Sequence, residues 1–177
     1  MTPVKPSDPP ALEIRDYSGE GEWSAHSLMD RYRRYCAELG IGEPLDLSPR
    51  EHCEGNVVWR YPVMEMVIDG IEKGDAACRR IGIEFIEDDG KFPFGKILKS
   101  NTARALRRSE LTANEKDRIR RRVVAMLVAG HIPHEYGQYA KLLKKIGVGD
   151  AIVGIETKLD LSNQYVERFY KYLKDLS

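Results

Sequence analysis

Between Lys91 and Lys145 the chain carries 14 Lys and Arg but only four acids, Glu110, Glu115, Asp117 and Glu135. Lysine and arginine at helical spacing attract phosphate by releasing its condensed counterions, and they track a nucleic-acid backbone without reading bases. On a wheel of 100° per residue, Lys96, Lys99, Arg104, Arg107 and Arg108 span one half. Phe94, Ile97, Leu98, Ala105 and Leu106 take the other half, which predicts a basic outer face and an apolar inner one. In the next segment Arg118, Arg121 and Arg122 oppose Ile119, Val123, Met126 and Leu127, and further on Lys141, Lys144 and Lys145 share a face. Three such faces in succession would merge into one positive surface, with Tyr32 and Tyr35, set among Arg31, Arg33 and Arg34, available to stack on bases. The same residue pattern also fits a solvated face, or one neutralised by the acidic half of the chain.

Three other groups have chemical potential. Glu84, Glu87, Asp88 and Asp89 include carboxylates three and four apart, a spacing able to hold Mg²⁺. They lie at a helix C-terminus, where the dipole disfavours anions, so an acidic turn paired with basic neighbours such as Lys91 and Lys96 is the expected state. His131 and His134 could approach one metal, with His52 and Cys53 as further donors, but the spacing lacks the order that puts two ligands and a base on one helical face. Cys36, Cys53 and Cys78 have no recognisable catalytic flank, and Cys78 falls on an apolar stripe, as a small core residue does. The chain contains no nucleophile elbow, no phosphate-binding loop motif and no dinucleotide fingerprint. The sequence therefore implies no cofactor, no metal site and no catalytic residue.

The net charge of zero conceals an uneven distribution. Residues 1–90 carry 10 Lys and Arg against 19 Asp and Glu, while residues 91–177 carry 18 against 9. Such asymmetry points to a charged partner or to self-complementary packing. No apolar run approaches the length of a membrane span and the N-terminus has no apolar core of the signal-peptide kind, so a cytoplasmic protein is expected.

The elements that must position these residues read as helices. Pro3, Pro6, Pro9 and Pro10, with Gly19 and Gly21 behind them, predict a flexible Pro-rich tail over residues 1–21, ahead of one helical domain over 22–177. Leu28, Tyr32, Tyr35 and Leu39 form a first helical face, and Val63, Met64, Val67, Ile68 and Ile71 a second. Asp75 caps a third helix with Cys78, Ile81, Phe85 and Ile86 inward. Thr112-Ala113-Asn114-Glu115 is a capping box ahead of Ile119 to Leu127, and Tyr136, Tyr139, Ala140, Leu143 and Ile146 form another stripe. A last helix follows Ser162. The predicted core is Val67, Ile71, Ile81, Phe85, Leu98, Leu106, Val123, Leu127, Tyr139 and Leu143.

About seven helices with short connections predict an all-α fold of antiparallel hairpins, either a helical bundle or a short HEAT-like array. The latter rests on segments 63–89 and 123–146, which share a helix–turn–helix layout but show no signature motif. Residues 50–59 and 148–159 are ambiguous, and a sheet would have to enter there. The functional expectation is a non-catalytic binding or assembly subunit whose basic face holds a nucleic-acid backbone within a nucleoprotein complex. Its phosphate-contacting residues would be Lys96, Lys99, Arg104, Arg107, Arg108, Arg118, Arg121 and Arg122. The alternatives are a protein adaptor or homo-oligomer joined by acidic and basic faces, and a metal-dependent enzyme using scattered His and acidic residues. No membrane partner is expected.

Overall fold

The computed structural model describes residues 11–176, and within them the protein is mostly helical, with seven α-helices and one small sheet. The helices are α1 (Ala25–Leu39), α2 (Val63–Glu72), α3 (Ala76–Glu87), α4 (Gly95–Arg108), α5 (Ala113–Val128), α6 (Tyr136–Ile146) and α7 (Gln164–Lys174). They stack in two layers. In one, α3 packs against α1 and α5, and α5 against α7; in the other, α4 packs between α2 and α6. Hairpin partners α2–α3 and α6–α7 cross from layer to layer. The starts of α4 and α6 lie at the same end of the molecule, where they line one cleft.

Local chemistry sets the boundaries. Ser24, Asp75, Thr112 and Asn163 each accept a hydrogen bond from a backbone N–H of the first turn of the helix that follows. The capping box forms in full: Glu115 N donates to Thr112 Oγ1 at 3.2 Å and Thr112 N donates to Glu115 Oε2 at 2.8 Å. Thr112→Ala removes one of these bonds and is expected to cost about 1 kcal/mol, within the range of roughly 0.5–2 for such caps. Urea denaturation checks this, and an unchanged midpoint would contradict it. At Gly70 a Cβ would lie 2.4 Å from Cys78 Sγ, so glycine is what lets α2 and α3 approach closely.

All ten predicted core residues are buried. Phe85 centres one aromatic group, its ring centroid lying 4.9 Å from those of both Trp23 and Phe92. Cys78 is fully buried, as its stripe predicts.

Two expectations need correction. The tail does not extend to residue 21: Glu13–Asp16 is a strand (β1), and residues 21–23 form a 3₁₀ turn with Trp23 buried. Residues 1–10 lie outside the described residues. The ambiguous stretch 50–59 is a hairpin of β2 (Glu51–Glu54) and β3 (Val57–Arg60), and β1 joins it to give a three-stranded sheet of order β1-β3-β2, parallel then antiparallel. The all-α class holds for the body of the molecule, with this sheet as an addition. β1 and β2 are exposed along their whole length, so no apolar alternation marks them. Polar contacts hold the sheet instead: Arg60 reaches Glu51 at 2.8 Å and Asp16 at 3.4 Å, and the Arg15 guanidinium lies 4.5 Å from the Trp59 ring centroid. The other ambiguous stretch, 148–159, resolves into two 3₁₀ turns, Gly149–Ile152 and Glu156–Lys158.

The sheet also braces the start of α4. Tyr17, just after β1, stacks on Trp59 and meets the Phe94 ring edge-on at 5.4 Å. Phe94 has φ 55° and ψ 19°, the one left-handed non-glycine residue among those described. Such a conformation persists only where surrounding contacts hold it.

Candidate functional site

The arginine run of α5 is built into the fold. Arg118 donates from Nε and Nη2 to the Glu87 carboxylate at 3.0 and 2.5 Å, a two-pronged ion pair that raises the guanidinium pKa further. Arg122 donates to the Ile86 carbonyl at 3.1 Å and pairs with Asp89, whose carboxyl is held below its usual range chiefly by that hydrogen bond. Arg120 donates to the carbonyls of Ile146 and Gly147 at 2.7 and 2.6 Å, satisfying acceptors left open at the C-terminus of α6. These three arginines tie α5 to the negative ends of α3 and α6. Only Arg121 of the run is exposed, with Nε 3.4 Å from the Asp117 carbonyl.

The acidic segment at the end of α3 is consumed in the same way. Glu84 receives Tyr35 Oη at 2.7 Å and Arg31 at 3.4 Å, and Asp88 receives Trp23 Nε1 at 3.1 Å. It is an acidic turn paired with basic neighbours, as predicted, but the neighbours are Arg31, Arg118 and Arg122 and not Lys91 or Lys96.

The basic face is therefore smaller than the sequence suggests, and its outline differs. Lys99 does not point outward. It is 6% exposed, its ammonium donates to the Asp88 carbonyl and lies 5.5 and 5.4 Å from the Phe85 and Phe92 ring centroids, and burial lowers its pKa. Ile97, expected inside, is 61% exposed, and Phe94 is exposed as well. The buried arc of α4 is Leu98, Lys99, Thr102, Ala103, Ala105 and Leu106, because helices pack on three of its sides. Arg108 is exposed but pairs with Glu72 at 2.9 Å. Lys96 and Arg104 remain exposed and Arg107 half-buried, with no carboxylate within 4 Å among the described residues. Tyr32 and Tyr35 cannot stack on a base: both are buried, and Tyr32 Oη donates to Asp75 at 2.9 Å while accepting from Leu45 N at 2.8 Å.

The two-layer stacking creates a second feature, which no motif signals. The loop after α3, the first turn of α4, the inner half of α5 and the loop before α6 enclose a cleft of about 820 Å³. Its floor is the buried set Lys99, Met126, Glu135 and Tyr139; its rim includes the exposed Lys91, Lys96, Ile97, His131 and His134. His131 Nε2 lies 3.8 Å from Asp89. His52 and Cys53 are elsewhere, exposed on β2, so the four candidate metal donors are not brought together. Among the described residues no group of three or more His, Cys, Asp or Glu side chains is placed to hold a metal ion.

No protein-family model matches the chain, and no curated protein or solved structure matches it either. No helix among the described residues is long and apolar enough to cross a membrane.

Proposed function

We propose that the chain is a non-catalytic binding or assembly subunit that holds a nucleic-acid backbone on a basic face formed by α4 and α6. The observation that carries this reading is the distribution of cations left over after internal pairing. Most arginines of the N-terminal half have a carboxylate partner, as do Arg108, Arg118, Arg120 and Arg122. Lys96, Arg104 and Arg107 on α4 and Lys141, Lys144 and Lys145 on α6 have none among the described residues. The two helices pack side by side, so these cations share one flank of the molecule. This set differs from the α4–α5 set expected from sequence: Lys99, Arg108, Arg118 and Arg122 leave it because each has an internal partner, the exposed Arg121 of α5 falls outside it, and the α6 lysines are added.

Contacts from such a face position a backbone and carry no base information. Mixed-sequence single- and double-stranded oligonucleotides titrated at low salt are expected to bind without marked sequence preference. Absence of binding to both at low salt would overturn this reading in favour of an acidic protein surface as the partner.

A further inference from the structure

We propose that the cleft between the α4 and α6 N-termini is a second site, sharing Lys96 with the α4–α6 face, that takes a nucleoside monophosphate. Its floor holds an unusual group. Glu135 is 8% exposed and lines the cleft; its carbonyl accepts from Gln138 N at 2.8 Å, but its carboxylate has neither a hydrogen bond nor an ion pair among the described residues. A carboxylate that lines a cleft with no internal donor keeps its acceptor capacity for a ligand. Lys99 stands on the same floor and couples electrostatically to Glu135, yet the two are not in ion-pair contact. Its ammonium has three protons and spends one on the Asp88 carbonyl. The floor thus offers an acceptor and a donor that are not satisfied by each other. A ligand edge carrying both a donor and an acceptor, as a nucleobase does, would satisfy both.

The walls fit a planar ring. Phe92, half-buried, borders the floor, and Phe94 and Ile97 present exposed apolar surface at the rim. Aromatic faces hold bases by stacking. Exposed apolar side chains at a cleft mouth can exclude water from a ring bound beside them.

The mouth fits a phosphate. Lys91, Lys96, His131 and His134 are exposed there, and the uncapped N-termini of α4 and α6 open into the same space. Lys91, Lys96, Lys99 and Arg122 outnumber Asp89 and Glu135, and Asp89 is already paired to Arg122. Base at the floor and phosphate at the mouth is the orientation these groups dictate.

GMP is the chosen probe because guanine offers N–H donors to a carboxylate and a carbonyl to an ammonium along one edge. Calorimetric titration with GMP, guanosine and inorganic phosphate separates the two halves of the site. GMP should bind at least about tenfold more tightly than either fragment. Glu135→Gln should weaken GMP and guanosine by about tenfold and leave phosphate unchanged; Lys96→Ala, at an exposed position, should weaken GMP and phosphate and leave guanosine unchanged. Lys144→Ala with Lys145→Ala should leave GMP affinity intact, which separates this site from the α4–α6 face. Phosphate binding as tightly as GMP, indifference to Glu135→Gln in a variant that melts like the wild type, or no GMP binding at millimolar concentration would each overturn the proposal.

Discussion

Phe85→Ala is expected to destabilise the protein by about 3–5 kcal/mol, the range for truncating a buried phenylalanine in a core that relaxes only partly. Phe85 is fully buried, contacts the rings of Trp23 and Phe92, and forms part of the surface under the Lys99 ammonium. The cavity would therefore open beneath the loop that carries Phe92 and one wall of the cleft. Ile97→Ala is the matched control: at 61% exposure it is expected to change stability by less than about 0.5 kcal/mol. Urea denaturation of both variants provides the measurement. A loss under about 1 kcal/mol at Phe85, or a comparable loss at Ile97, would mean that the faces of α3 and α4 are misplaced.

The second large effect concerns binding. Lys144→Glu combined with Lys145→Glu removes two unpaired cations from the exposed side of α6 and installs repulsion in their place. Oligonucleotide affinity is expected to fall on the order of 100-fold at low salt. The comparison pair is Arg118→Gln with Arg122→Gln. These side chains hold α5 to Glu87, Asp89 and the Ile86 carbonyl, so their loss should lower stability by about 1 kcal/mol or more. Oligonucleotide affinity should stay within about threefold. Equal losses of affinity in the two pairs would restore the α5 arginines to the binding face.

Why the sequence showed some of this and hid the rest follows from the range of the interactions involved. Thr112 with Glu115, and Asp75 ahead of Cys78, are legible because a cap acts within four residues. The ten core residues are legible because burial repeats with the helical period. Lys99 and Ile97 exchange their expected places because the width of the buried arc on α4 depends on how many helices surround it, which periodicity does not encode. Arg118 and Arg122 look like surface residues until α3 brings its acidic end to them across more than 30 residues of chain. β1 buries no face and leaves no alternating pattern, whereas the β2–β3 hairpin does leave a signal: Gly55-Asn56, a two-residue turn with Gly55 at φ 61°, between two runs of four. Glu135 is the least legible of all. A lone glutamate at a helix start gives no hint that its carboxylate ends without a partner on the floor of a cleft.

The central claim is that unpaired cations of α4 and α6 contact phosphates, and the salt dependence of binding tests it most directly. For the wild type, log affinity should fall linearly with log salt by about 0.7–0.9 per phosphate contacted. In the triple variant Lys96→Ala, Arg107→Ala, Lys144→Ala the slope should become shallower by about 2–3, one increment for each contact removed. A slope that stays the same in the triple variant would contradict the claim.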